Sequence, residues 1–332
     1  MQLNRKSTAS LWTLTCLTCC GVVYKMSHLN APPSEVAEVI ASKARSEIPR
    51  KNKVSGAQST RWLPLLELAI HKEERLEIAR QIRGELPPEE IEFLFDCMTR
   101  VPSPGDENNW WELVNEIMEQ MRKNGVGSSE YSERLCSIIR DEEQSNVIRD
   151  YAVQHLTQWL APISGSGINT YEGHENRQDF ALETIVQAIS DPLNQSSSIP
   201  GTGLMALTDI SSRLPNEVAL RVWAEVDRYL EGAITGTSSV PRHTRITSIQ
   251  VAAIQNRRQH QDTIRKFVSD PSCEADIRLA SISALGIYGD LVDRSLLEEI
   301  ARTEGQFQYA AKSAIEKLDR NIIKNSNPHE VQ

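Results

Sequence analysis

The sequence predicts an all-α protein in which helices pack in pairs along one elongated array. Apolar and small residues recur at helical spacing throughout residues 61–322, short breaks separate the helical segments, and the alternation of apolar and polar residues typical of strands is missing. A chain of 332 residues is long for one compact core but ordinary for an array in which each unit packs only on its neighbours.

The N-terminus has the pattern of a secretory segment. Residues 7–24 contain no charged side chain, two basic residues precede them, and Lys25 follows. Their densest apolar part is short for a spanning helix, which needs about 20 apolar residues. We expect residues 1–30 to be a signal peptide or membrane anchor, with membrane contact through residues 7–24. The body would then lie outside the cytoplasm, in the periplasm or the extracellular space; the alternative is a cytoplasmic protein with an apolar leader.

Two further segments are expected to lie outside the array. Residues 31–60 are rich in Pro, Ser and Lys and are predicted to form a polar linker, in which Ser34 caps one short helix running to about Ile48. Residues 323–332 are predicted to be a disordered tail.

One template identifies the core-facing helices, with apolar or small residues at i, i+3, i+4, i+7, i+8 and i+11. It fits segments that start at Trp110, Ile148, Gly203, Ile277 and Phe307, and less well one that starts at Arg245. Further amphipathic segments alternate with these, over residues 90–99, 131–140, 179–189, 217–230, 262–268 and 291–301. Helix pairs that repeat every ~30 to 50 residues are typical of a stacked array.

Local signals predict several helix ends. Asp290 is placed to cap the helix that follows Gly289, and Pro241 suits a first helical turn. Gly232 and Gly305 fit the ends of helices, where glycine is enriched.

Residues 276–286 (DIRLASISALG) and 148–152 (IRDYA) resemble the second helix of a HEAT repeat, in which an apolar residue and an Arg precede Ala-rich spacing that ends in Leu-Gly. The resemblance is good at 277–286 and fair at 148–156 and 307–315. It implies a right-handed α-α superhelix of stacked HEAT-like helix pairs, of the armadillo type, over residues 61–322. Such repeats imply a scaffold that binds a protein partner and do not specify a reaction.

Charge is unevenly distributed along the chain. Of the net charge of −9, residues 1–60 carry +5, from eight basic and three acidic side chains, so the rest of the chain carries −14. An acidic body repels the phosphate backbone that Lys and Arg contact in nucleic-acid complexes. We therefore expect no nucleic-acid partner.

Arg149, Arg245 and Arg278 occupy the same place in three core-facing helices. They are candidate partner-binding residues, since together they would line one face and hold an acidic partner. The interpretation favoured by the pattern is structural, in which each Arg pairs with an acid from a neighbouring repeat.

Three further residues are candidates for partner binding. Trp111 lies beside the apolar stripe of its helix and is expected to be half exposed. Tyr171 and His174 belong to the long Gly/Ser-rich loop 162–175, which is either a mobile insertion or a binding element. The triplet 194–196 (NQS) matches the glycosylation sequence of secreted proteins.

No motif for catalysis, a cofactor or a metal is present. His155 falls on an apolar stripe and is expected to be a hydrogen-bonded core residue, and Cys97, Cys136 and Cys273 are expected to be free thiols. The sequence therefore favours a non-catalytic protein-protein interaction scaffold of the cell envelope. The alternative is an enzyme or enzyme accessory related to HEAT-like chromophore lyases.

Overall fold

The computed structural model describes residue 66 and residues 71–83, 86–103, 105–125, 128–160, 174–303 and 305–326, and this part of the chain is all-helical. The all-α fold class is confirmed there. The predicted signal or anchor and the predicted linker with its short helix lie outside the described residues. Within the described ranges, no helix is both long enough and apolar enough to cross a membrane.

Thirteen α-helices follow one another without a strand in the described ranges. They are α1 (Lys72–Ala79), α2 (Pro88–Thr99), α3 (Glu107–Asn124), α4 (Ser128–Arg140), α5 (Asn146–Leu160), α6 (His174–Ser190), α7 (Ile199–Ser211), α8 (Asn216–Thr235), α9 (Arg242–Ile254), α10 (Gln261–Ser269), α11 (Ala275–Tyr288), α12 (Leu291–Arg302) and α13 (Gln306–Ser326). Two 3₁₀ turns, Pro192–Asn194 and Arg258–His260, precede α7 and α10.

The helices contact one another in a regular order. Every odd-numbered helix from α1 to α13 contacts the next odd-numbered helix, and α4, α6, α8 and α10 contact one another in the same consecutive way. Each even-numbered helix from α2 to α12 also contacts the odd-numbered helix that follows it. An odd-numbered helix in the middle of the chain is therefore covered on three sides.

The predicted stripes are the buried faces of the odd-numbered helices. All six template positions are buried in α3 and in α11, which are Trp110, Leu113, Val114, Ile117, Met118 and Met121, and Ile277, Ala280, Ser281, Ala284, Leu285 and Tyr288. The six alternating segments are also helices, and in the structure all of them are longer than the predicted ranges. Helical periodicity therefore identifies both sets of helices.

Small residues let the odd-numbered helices approach closely. A Cβ atom added to Gly286 of α11 would lie 2.7 Å from the Cα atom of Ala314 in α13. Because the obstructing atom belongs to the backbone, a larger side chain at Gly286 would force the two helices apart.

Several predicted boundaries need correction. The buried face of α9 begins at Thr244, one residue before the predicted start at Arg245. Helix α8 continues through Gly232 to Thr235, and Gly236 ends it in the left-handed conformation with φ of +79°. The last helix reaches Ser326, so the predicted tail is helical over 323–326, while 327–332 lie outside the described residues.

The cap at the start of α12 is confirmed. Asp290 accepts hydrogen bonds from the backbone nitrogens of Val292 and Asp293, and the Asp293 carboxylate accepts one from the backbone nitrogen of Asp290. Asp293 is fully buried and also accepts from Arg265 Nε at 2.6 Å and Gln261 Nε2 at 2.6 Å in α10. This network fixes the start of α12 against α10.

Ion pairs between exposed or half-buried side chains join consecutive even-numbered helices. The pairs run from α2 to α8 and are Glu92–Arg134 at 2.8 Å, Glu133–Arg177 at 3.2 Å and Asp179–Arg221 at 2.9 Å. Exposed pairs of this kind contribute about 0 to 1 kcal/mol each. These pairs show which residues of neighbouring even-numbered helices lie side by side, but they contribute little to the stability of the fold.

Candidate functional site

The three aligned arginines make the same contact. Each is the fourth residue of its helix, and each donates to the main-chain carbonyl of the penultimate residue of the preceding helix. The bonds are Arg149 Nε to Ile139 O at 3.0 Å, Arg245 Nε and Nη2 to Ile234 O at 3.2 and 3.1 Å, and Arg278 Nε to Val268 O at 2.9 Å. The structure therefore brings them to equivalent places, each within its own helix pair.

This contact satisfies a carbonyl that the helix leaves without a partner. The last four carbonyls of a helix have no acceptor role within it, and a cation there also interacts favourably with the helix dipole. The predicted acidic partners are thus replaced by backbone carbonyls. A sequence pattern shows that the arginines occupy equivalent positions. It does not show whether a carbonyl or a carboxylate accepts their hydrogen bonds.

Aromatic rings support two of these arginines. The guanidinium carbon of Arg245 lies 4.9 Å from the centre of the Phe267 ring, and that of Arg278 lies 4.6 Å from the centre of the Phe307 ring. Arg149 is buried instead, and its burial lowers the pKa of its guanidinium.

In the pair α6/α7, a carbonyl near the end of the first helix has a different donor. Its second helix has Thr202 as the fourth residue, and Asn194 from the intervening turn donates Nδ2 to Ala188 O at 2.9 Å. Asn194 is buried, so the amide nitrogen that a glycan would modify is enclosed in the folded chain.

The other predicted partner-binding residues fall in different places. Trp111 is half-buried and packs against the core from α3, and its indole nitrogen has no hydrogen-bond partner among the described residues. Tyr171 lies outside the described residues. His174 begins α6, but its side chain is outside the described part of the chain.

The odd-numbered helices leave one stripe each toward solvent. These stripes include Asp150 and Gln154 in α5, Met205 and Asp209 in α7, Ile246, Gln250 and Ile254 in α9, and Leu279, Ser283 and Ile287 in α11, all of them exposed or half-buried. We call the surface formed by these ten residues the odd-helix face. Sequence reasoning did not single it out, because the template identifies what is buried and leaves the opposite side undefined.

Polar contacts connect neighbouring stripes of this surface. Ser198, just before α7, donates to Asp150 of α5 at 3.2 Å, and Arg242 of α9 pairs with Asp276 of α11. Asn321 of α13 donates to the carbonyl of Ile287 at 2.8 Å. Successive stripes therefore lie side by side.

His155 is a buried polar residue between α3 and α5, as its position on the stripe predicts. Its Nε2 lies 3.0 Å from Asn115 Oδ1, and its Nδ1 lies 3.6 Å from Glu119 Oε2. Burial lowers the pKa of His155 to about 4, although Glu119 acts in the opposite direction.

Among the described residues, Cys97, Cys136 and Cys273 form no disulfide with one another, and Cys97 and Cys136 are buried. In the described ranges, no group of three or more His, Cys, Asp and Glu side chains is arranged to hold a metal ion. Neither a protein-family model nor a curated protein matches this sequence.

Replacing a helix-end arginine should destabilise the fold without changing its helical content. Arg149→Met and Arg278→Met keep the apolar stem but leave the carbonyl of Ile139 or Val268 without its donor, so we expect each to lower the free energy of unfolding by about 1–3 kcal/mol. Urea denaturation followed by circular dichroism measures this. The matched control is Arg228→Met, because Arg228 is exposed on α8, and its effect should stay within about 0.5 kcal/mol. Equal effects of Arg149→Met and Arg228→Met would contradict this assignment.

Stability should fall at acidic pH because of His155. Its pKa of about 4 in the folded chain lies below the ~6.5 of an unfolded histidine, so the unfolded chain binds the proton first as the pH falls from ~6.5 toward 4. At pH 5 the loss from this residue is about 2 kcal/mol relative to pH 7.5. Burial also lowers the pKa of His260, which adds in the same direction.

His155→Gln should therefore reduce the loss of stability between pH 7.5 and pH 5, measured by urea denaturation at both values. His71→Gln is the control, because His71 is exposed before α1 and should leave the pH dependence unchanged. An unchanged pH dependence in His155→Gln would show that another group is responsible.

Proposed function

We propose that this protein is a non-catalytic scaffold that binds another protein along the odd-helix face. The observation that supports this is the unbroken series of contacts between odd-numbered helices, each of which leaves a stripe toward solvent that packing does not use. Stripes on neighbouring helices make a surface long enough for an extended partner.

We further propose that the helix pairs form a HEAT-like, right-handed superhelix. The consecutive contacts within each set of helices, together with the same arginine contact in three pairs, are what repeated stacking of one unit would produce. Curvature of such a stack would place the odd-numbered helices on its concave side, which is the usual binding surface of these arrays.

The arginine side chains have a smaller part in this proposal than the sequence predicted. The guanidinium groups of Arg149, Arg245 and Arg278 are engaged with helix ends, so the partner is assigned to the side chains of the odd-helix face. Trp111, Tyr171 and His174 stay predictions as additional contacts.

We also propose that the scaffold acts at the cell envelope, outside the cytoplasm. The uncharged run of residues 7–24 after a basic start supports export or anchoring. Mass spectrometry of the mature N-terminus tests this: loss of residues 1–30, or a lipid on the new terminus, is expected for an exported chain. An unmodified N-terminus at residue 1 or 2 on a chain recovered with the cytosol would overturn it.

Site-specific photo-crosslinking in the source cells tests the binding surface. A photoreactive amino acid at Gln154, Gln250 or Ser283 places the probe on three helices of the odd-helix face. We expect all three positions to yield an adduct with the same partner protein, since one extended partner would touch successive helices.

The matched control carries the probe at Ser295, which is exposed on the even-numbered helix α12. It should yield no such adduct. Adducts at Ser295 alone, or none at any of the three face positions, would refute the proposal.

A further inference from the structure

Several charged side chains on the odd-numbered helices already have a partner. The pairs connect consecutive odd-numbered helices and are Lys72–Glu112 at 2.7 Å, Arg80–Glu116 at 3.4 Å and Arg242–Asp276. These carboxylates are neutralised within the fold, so they offer little to a cationic partner.

Asp150 in α5 and Asp209 in α7 differ from them. Asp150 is half-buried, accepts hydrogen bonds from Ser198 at 3.2 Å and Gln154 at 3.2 Å, and forms no ion pair with a described residue. Asp209 is exposed and likewise forms no ion pair in the described ranges, although Arg213 lies four residues later, just after the end of α7. The face thus contains two carboxylates on adjacent helices whose charge is not neutralised by a cation in contact.

Desolvation of these carboxylates adds to the argument. Burial raises the pKa of Asp150, against hydrogen bonds from Thr202, Ser198 and Gln154 and the charge of His243. Partial burial also raises the pKa of Asp209, against the charge of Arg213. A carboxylate that has lost part of its hydration without gaining a cation is stabilised when a cation arrives, and such groups concentrate at binding sites.

Apolar side chains lie beside this acidic pair. Met205, Ile246 and Leu279 contribute one half-buried side chain from each of three successive odd-numbered helices, and Ile254 is 45% exposed further along α9. Covering this row would remove apolar surface from water.

We infer that the odd-helix face binds a polypeptide segment in which lysine or arginine side chains stand next to apolar ones. The cationic groups would meet Asp150 and Asp209, and the apolar side chains would cover Met205, Ile246 and Leu279. This inference rests on the proposed scaffold function and specifies the chemistry of its partner. A second copy of this chain fits the surface poorly, because the chain beyond residue 60 carries −14.

Fluorescence anisotropy with three labelled synthetic peptides tests this on the full chain. One peptide alternates lysine and leucine, the second alternates glutamate and leucine, and the third alternates lysine and serine. We expect the lysine–leucine peptide to bind most tightly, the lysine–serine peptide to bind more weakly, and the glutamate–leucine peptide not to bind. Added salt should weaken the binding of the first two.

Variants locate the binding on the surface. The double variant Asp150→Asn and Asp209→Asn should lower the affinity for the lysine–leucine peptide by about tenfold or more. The matched control, Glu225→Gln with Glu299→Gln, removes the same charge from exposed positions on α8 and α12 and should leave binding unchanged. Thermal denaturation of both double variants shows whether they are folded.

The inference is overturned if both double variants bind the lysine–leucine peptide equally well, or if the unchanged chain binds the glutamate–leucine peptide as tightly as the lysine–leucine peptide. Self-association of the chain that the Asp150/Asp209 double variant abolishes would also overturn it. These outcomes are separate from the crosslinking test. A partner captured at Ser283 without any preference for the basic peptide would refute the chemistry proposed here and leave the scaffold function standing.

Discussion

The close approach of consecutive odd-numbered helices is the constraint on which the rest of the structure depends. Gly286 against Ala314 shows it most directly, since no side chain fits between the two backbones. Gly203 shows a similar close approach between α7 and the even-numbered helix α6, with 2.6 Å from an added Cβ to Ile189 Cγ1. Because an odd-numbered helix in the middle of the chain has neighbours on both sides and an even-numbered helix behind it, only one narrow stripe of it reaches solvent. The same packing that builds the core therefore also creates the one surface that repeats along the odd-numbered helices.

Close packing also determines how the helix ends are satisfied. An even-numbered helix ends against the start of the next odd-numbered one, where its last carbonyls are shielded from water and need donors. A long side chain with several N–H groups reaches back from the fourth residue, and arginine does this in three pairs while Asn194 does it from the turn in a fourth. Arginine suits the place because its guanidinium donates from more than one nitrogen and its flat face stacks on rings such as Phe267.

The sequence predicts the fold further than it predicts the surface. Helical period, with Ala and Gly at the centre of the stripes, identifies α3, α5, α7, α11 and α13 because burial on both sides imposes a strong pattern. The short helix α1 was missed because its residues, KEERLEIA, bury only Ala79 and show little amphipathic pattern. The sequence shows that the arginines are aligned, but it does not identify their hydrogen-bond acceptor, because every residue type carries a backbone carbonyl. The odd-helix face was invisible for a related reason: solvent-facing positions are only weakly constrained by packing.

Charge pairing separates the parts of the surface that serve the fold from the part available to a partner. On the even-numbered helices, Glu92, Glu133 and Asp179 each meet an arginine of a neighbouring helix, so their charges are balanced before anything binds. Asp150 and Asp209 have no such arginine in contact among the described residues, although Asp150 is half-buried. Packing alone would select an amide or an apolar residue at a half-buried place such as that of Asp150, because an unbalanced carboxylate lowers stability. Two carboxylates that no cation of the fold contacts, beside an apolar row that the fold covers only in part, are what the proposed binding surface requires.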